Sequence, residues 1–212
     1  MIEYPSILPS GKAPHAPRIA FDKLDGSNIR VKYTNKKGFH LFGSRTQMFD
    51  KGHPFLSAAV DLFYRDFENP LVDLIENEFS NEREVIAFLE FLGDKSFAGW
   101  HDPEDPTKRL VCFDIMVGHK NRKFLMPQEF VKLSTKYKVN APRVISTGNL
   151  TDQFVQDVRA GKYDVVEGVV CKGTEKTGAH RGGIWMAKIK TQAYLDRLFN
   201  KYGEEGIKKY GE

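Results

Sequence analysis

The order in which β-compatible and helical runs follow one another is the feature that most limits how this chain can fold. Residues 18 to 23, 28 to 34 and 38 to 44 are short β-compatible runs separated by "DGS" and "NKKG", and they read as antiparallel strands joined by tight turns. Helical periodicity then replaces them. "HPFLSAAVDLFYRDF" and "PLVDLIENEF" place apolar residues three and four apart, each with a proline near its start. Strand character returns at "EVIAFLEFLG" (84 to 93) and "RLVCFDIMVG" (109 to 118), on either side of the polar loop "HDPEDPTKR". Helices are predicted over 127–137 and 151–160, the second opened by Thr151 and Asp152 as caps and stopped by Gly161. Strands near 165–172 and 184–190 precede a final amphipathic helix, "TQAYLDRLFNKYG". Strand runs and helix pairs come in blocks, so the pattern predicts an α+β domain on antiparallel sheets rather than a doubly wound parallel one.

At 212 residues, with 41% hydrophobic residues and sixteen Phe, the chain has material for one packed core and is expected to form a single domain spanning 1–212. Four prolines within the first 17 residues predict an extended N-terminal arm over 1–17. The formal charge of +4 is too mild to prove nucleic-acid binding by itself and is compatible with a local basic cleft. Cys112 and Cys171 lie far apart and form no metal-binding cluster, which fits a reducing cytoplasm, a host's cytoplasm if the source is a virus. No apolar h-region opens the chain and no apolar run approaches the roughly 20 residues that span a bilayer, so neither export nor a membrane partner is expected.

Several polar residues stand where apolar ones would be ordinary. In "FDKLDGSNIR" Lys23 closes an apolar run and is followed by Asp25 and Gly26. A K-x-D-G match alone is weak, since chance supplies one in roughly every fifteen to twenty chains of this length. "FLEFLG" sets Glu90 inside an apolar strand, either facing outward on a half-exposed strand or facing a cleft. "VVEGVVCKG" does the same with Glu167, directly before a glycine that is either an edge-strand glycine or a point of close ligand approach. "IWMAKIKT" places Lys188 and Lys190 on one face of a strand, roughly 6.6 Å apart at the backbone, where an anion would relieve their repulsion. Arg45 in "FGSRTQMF" and Phe113 in "CFDI" are unremarkable singly.

Taken in order, K-x-D-G, S-R-T, F-L-E, F-D-I, E-G-V-V-x-K and K-x-K resemble the motifs of the covalent nucleotidyltransferases, the superfamily of ATP-dependent ligases and mRNA capping enzymes, over residues 21 to 191. Asn28, five residues after the lysine, and "EFLGDKSFAG" after Glu90 are most similar to the RNA ligase 2 and RNA-editing ligase group. The resemblance implies an ATP-grasp-like nucleotidyltransferase domain and an ATP-dependent RNA ligase. Lys23 would form lysyl-AMP, pass AMP to a 5′-phosphate, and let a 3′-hydroxyl displace it. It implies catalytic roles for Lys23, Glu167, Lys188 and Lys190, with Asp25, Gly26 and Lys172 completing the nucleotide site. It further implies Phe113 and Val170 on either side of adenine, Arg45 on ribose or a phosphate, and Asn28 at the reacting ends. Glu167 and Glu90 are the implied carboxylates for Mg²⁺ or Mn²⁺, and ATP is the implied AMP donor. A free lysine is neutral in only about one molecule in 2,500 at pH 7, so Lys23 needs help to lose its proton, for which Lys188 and Lys190 are suited.

The implied partners are RNA ends, in a nicked duplex or single-stranded, with DNA as the alternative strand. Larger members of the superfamily continue past K-x-K into an OB-fold or helical domain, whereas 21 residues follow Thr191 here. The expectation is therefore a lone catalytic domain, with a partner protein as one source of the surface those domains provide. A minimal DNA ligase, a GTP-using capping-type enzyme, and a non-catalytic module that binds RNA ends or nucleotide are the competing readings. A Walker A loop, a dinucleotide fingerprint and a zincin motif are all absent from the sequence. His15, His40, His53, His101, His119 and His180 show no ligand spacing and are expected to be structural or exposed.

Overall fold

The computed structural model of the protein describes residues 1–176 and 183–211. Its strands are β1 (Leu8–Pro9), β2 (Pro17–Lys23), β3 (Ser27–Thr34), β4 (Gly38–Gly43), β5 (Met48–Phe49), β6 (Glu84–Leu92), β7 (Arg109–Val117), β8 (Lys123–Phe124), β9 (Val144–Asn149), β10 (Gly168–Gly173) and β11 (Met186–Lys190). Its helices are α1 (Ser57–Asp66), α2 (Glu68–Glu78), α3 (Pro127–Lys136), α4 (Asp152–Arg159) and α5 (Gln192–Tyr210). This is the α+β architecture expected, antiparallel sheets flanked by helices. The chain divides into two compact units, Met1–Tyr4 with Gly26–Ala141, and Pro5–Asp25 with Pro142–Glu212.

The first unit is built on a sheet of strand order β5-β4-β3-β6-β7-β8, antiparallel throughout. β6 lies between β3 and β7, and every residue of "EVIAFLEFL" is buried except Glu90, which explains why its sequence reads as a continuous apolar run rather than an alternation. α1 turns Phe63 onto the sheet, where it meets Phe39 and Phe42 edge-on at 4.9 and 5.4 Å between ring centroids. α2 buries Leu71, Leu74 and Ile75, the apolar residues at helical spacing. Tyr4 is buried here too, donating to Asp114 at 2.7 Å.

The second unit has strand order β1-β11-β10-β2-β9. Its pairings are antiparallel apart from β1 with β11, a parallel contact that holds Leu8 and Pro9 of the N-terminal arm. Side chains alternate across a strand, so the register divides this sheet into two faces. Ala20, Val169, Cys171, Ala187 and Ile189 lie on one, packed with Trp185 and with Phe154 and Val158 of α4. Thr151 caps α4, accepting the Phe154 N–H at 3.1 Å. The opposite face carries Phe21 and Lys23 of β2, Val170 and Lys172 of β10, and Lys188 and Lys190 of β11. α5 runs beyond the predicted helix end, through a kink at Gly203. Among the described residues no helix is long and apolar enough to cross a membrane.

Candidate active site

In the second unit Gly168 lies opposite Lys23 on one side and Lys190 on the other. Its φ is +150°, and a Cβ there would meet the Ile189 carbonyl oxygen at 2.0 Å, so only glycine lets β10 approach β11 this closely. The bare backbone at Gly168 leaves the preceding Glu167 between the two lysines. Its Oε1 is 3.0 Å from Lys23 Nζ and 2.6 Å from Lys190 Nζ, and both the carboxylate and the Lys190 side chain are only 4% exposed. One carboxylate thus faces two ammonium groups, and the trio carries one net positive charge. Burial lowers the Lys190 pKa, opposed by Glu167 and reinforced by the charge of Lys23.

Lys188 and Lys190 also reach the carbonyl oxygens of Gly211 and Tyr210 respectively, at the C-terminal end of α5. Helix C-terminal carbonyls carry partial negative charge, so both lysines already face oxygen acceptors of the kind a phosphate would present. Lys172 is buried on the same face, its Nζ 5.3 Å from the centre of the Phe21 ring, while Val170 lies between Phe21 and Lys188 in register.

Asp25 is held from a direction the sequence motifs do not indicate. Tyr194 of α5 is hydrogen-bonded to it, and Arg197, one turn further on, lies 3.6 Å away. Burial pushes the Tyr194 pKa well up, and the charges of Glu167 and Asp25 push it the same way, so the phenol stays protonated and acts as a donor. Its ring also sits 4.6 Å from Lys190 Nζ, a cation–π contact. Helical periodicity marks Tyr194 as an apolar-face residue, and nothing local in the sequence links it to Asp25.

In the first unit Asn28 and Glu90 are direct cross-strand partners. Glu90 accepts the Gly26 N–H at 3.1 Å, and a Cβ on Gly26 would lie 2.3 Å from the Phe91 carbonyl oxygen, so this glycine too is required by a close approach. The buried Asn28 Oδ1 has no hydrogen-bond partner among the described residues. Phe113 occupies the irregularity in the β6–β7 pairing, where Phe88 faces Asp114 and Leu89 faces Cys112. Such a bulge re-aims a side chain, and the Phe113 ring stands half-buried against Tyr4 at 5.0 Å. Arg45 is exposed on the turn between β4 and β5. The buried arginine nearby is Arg30, which bridges the Ser44 and Met1 carbonyls.

The histidines differ more than their spacing implies. His101 is buried, with Nε2 2.8 Å from Ser27 Oγ and Nδ1 2.9 Å from Ser96 Oγ, and burial lowers its pKa. His53 accepts the Phe55 and Leu56 N–H groups ahead of α1, and His119 contacts Glu84 at 3.2 Å. His15 is exposed 3.4 Å from Asp152, His40 contacts the Gly38 carbonyl, and His180 lies outside the described residues. No three His, Cys, Asp or Glu converge among the described residues.

The sheet face sets Lys23 beside a buried carboxylate with Lys188 and Lys190 on the same face, the arrangement expected of a covalent nucleotidyltransferase-type ligase. More particularly, the chain belongs to the RNA ligase family, whose model matches residues 17–190, from the first residue of β2 to the last of β11. Among solved structures it is similar to a Naegleria gruberi RNA ligase with PPi, at a TM-score of 0.67 and 16% identity, over 94% of this chain and 58% of that one. A mutant of the Naegleria enzyme with ATP and Mn gives 0.66 and 17%, and another with AMP and Mn gives 0.66 and 16%, each over 92% of this chain and 58% of the other. These likenesses carry the fold, and the chain spans little more than half the length of those proteins. No curated protein sequence matches it.

Proposed function

We propose that the protein is an ATP-dependent RNA ligase, with Lys23 as the nucleophile that takes AMP from ATP and passes it to an RNA 5′-phosphate for attack by a 3′-hydroxyl. The observation that carries this reading is the buried Glu167 shared by Lys23 and Lys190. Loss of a proton from the partly exposed Lys23 to solvent leaves a neutral, buried Glu167–Lys190 pair, so the free amine forms without stranding a buried charge. That amine attacks the α-phosphorus, and the bond to pyrophosphate breaks. Lys188 and Lys190 exchange their carbonyl partners for phosphate oxygens and offset the charge that develops there.

A divalent ion, Mg²⁺ or Mn²⁺, suits a site of this kind, because such ions are held by one or two carboxylates with substrate phosphates completing the shell. Glu167 is the carboxylate that would hold it, and the ion would supply charge neutralisation at the phosphates. In the first unit, the unpartnered Asn28 Oδ1 and the cross-strand Glu90 are the groups suited to accept from the hydroxyl groups of nucleotide or RNA. Support for RNA ends as substrates comes from the family, and support for ATP and a divalent ion from the ligand states of the Naegleria enzyme. The test is incubation with α-labelled ATP and Mg²⁺ followed by mapping. One AMP on Lys23, discharged by pyrophosphate and lost in Lys23→Ala, is expected. Label that persists in Lys23→Ala refutes the proposal.

A further inference from the structure

The end of the first unit's sheet opposite Asn28 and Glu90 gathers charge that the proposed chemistry does not use. Three segments meet there: 32–37 from the end of β3 through the turn to β4, 82–84 leading into β6, and 119–123 from the β7–β8 turn into β8. Together they hold seven Lys and Arg against two carboxylates, Glu82 and Glu84, an excess larger than the +4 of the whole chain. The rest of the chain, with 25 Lys and Arg against 26 Asp and Glu, sums to near neutrality.

Glu84 organises it. Its buried carboxylate accepts from Lys32 at 2.6 Å, from Arg122 Nε and Nη2 at 3.0 and 2.8 Å, and contacts His119 at 3.2 Å. One buried anion thus fixes the roots of two segments, and Lys36, Lys37, Arg83, Lys120 and Lys123 stand exposed around it. The strands from β4 to β8 are adjacent, so the rim is roughly 19 Å wide at about 4.8 Å per strand. Glu84 and Glu90 are six residues apart on β6, which places the rim about 20 Å from Glu90.

We propose that this rim is a second RNA-binding site, holding the sugar-phosphate backbone several nucleotides from the end being joined, an inference that rests on the RNA ligase reading above. The chemistry favours RNA over an acidic protein partner. None of the large hydrophobic side chains exposed among the described residues lies in these three segments, whereas protein interfaces are enriched in aromatics and depleted in lysine. Exposed Lys and Arg without aromatics bind phosphates in a sequence-independent, salt-sensitive way.

The test replaces Lys36, Lys37, Lys120 and Lys123 together by glutamine. Binding of a fluorescent 20-nucleotide RNA and of a trinucleotide is measured across a salt series, beside AMP uptake from ATP. The variant is expected to bind the long RNA about tenfold more weakly, with the salt slope reduced by roughly 2, while trinucleotide binding and AMP uptake stay at wild-type levels. Unchanged affinity and slope for the long RNA overturn the proposal and leave an acidic protein as the rim's partner. Equal losses on long and short RNA overturn it too, because they place the four lysines at a site that a trinucleotide fills by itself rather than at one reached only by a strand extending from the joining end. If the wild-type protein takes up no AMP while the variant still loses long-RNA binding, the rim stands and the ligase reading falls.

Discussion

Replacing Glu84 by glutamine removes one buried negative charge and leaves three donors facing a neutral group. Burial alone would raise the Glu84 pKa; hydrogen bonds from Lys32, Arg122 and His119 override it and bring the carboxyl from an ordinary 4.5 to about 2. At about 1.4 kcal/mol per pKa unit, that depression corresponds to about 3 kcal/mol of folding stability at neutral pH. An independent route gives a similar figure, since breaking a buried ion pair by removing one partner costs about 3–5 kcal/mol. Lys32 and Arg122 are partly exposed and can turn to water, which places the expected loss near the lower value. Because the folded pKa lies below the unfolded one, the contribution is complete above about pH 5 and is lost as the pH falls through about 2. Urea unfolding of both proteins between neutral pH and about pH 3 measures it: the gap between wild type and Glu84→Gln should be about 3 kcal/mol at pH 7 and should narrow on acidification. A gap below about 1 kcal/mol at pH 7, or one that stays constant as the pH falls, refutes the view that Glu84 is an ionised buried hub.

Gly168→Ala is expected to cost more than about 3 kcal/mol in urea unfolding and to abolish AMP uptake, because the new methyl group collides with the Ile189 carbonyl and forces β10 away from Lys190. A variant with wild-type stability and uptake would show that the close approach at Gly168 is not needed. Thr191→Val removes a buried hydroxyl that accepts the Tyr194 N–H and donates to the Val166 carbonyl, both at 3.2 Å. A loss of about 1–2 kcal/mol in thermal or urea unfolding is expected, with slower AMP uptake, since the Thr191 backbone also holds the Glu167 carbonyl. Uptake at the wild-type rate would separate the cap from the site.

The elements that periodicity can report were legible in the sequence, and those it cannot were not. β2, β3, β4, β6, β7 and α1 to α4 are strongly patterned, and their bounds fall within a few residues of expectation. The expected antiparallel pairing of 18–23 with 28–34 is not formed, because β2 pairs with β9 and β10 while β3 pairs with β4 and β6, and a turn-like "DGS" does not reveal that the chain changes sheets there. β9 was missed because it is an edge strand with mostly exposed side chains, so "VISTGN" shows no apolar alternation. The kink at Gly203 hid the continuation of α5, since a glycine near the end of a helical pattern reads as its stop.

For the candidate site, residue identity was legible and pairing was not. Lys23, Glu167 and Lys190 each break an apolar run, which costs free energy unless something compensates, and that cost is what made them visible one at a time. What compensates is long-range: the Gly168 register that brings Lys23 and Lys190 to one carboxylate, the bulge that re-aims Phe113, and the Tyr194 hydrogen bond and Arg197 ion pair to Asp25. Glu84 shows the other side of the same rule. Flanked by Arg83 in the charged run "SNERE", it looks like an ordinary solvated glutamate, because nothing local predicts that β6 begins one residue inside the core. A polar residue announces itself in sequence when its neighbours are apolar, and a buried charge at the polar end of a strand therefore has to be found from the pairing of strands.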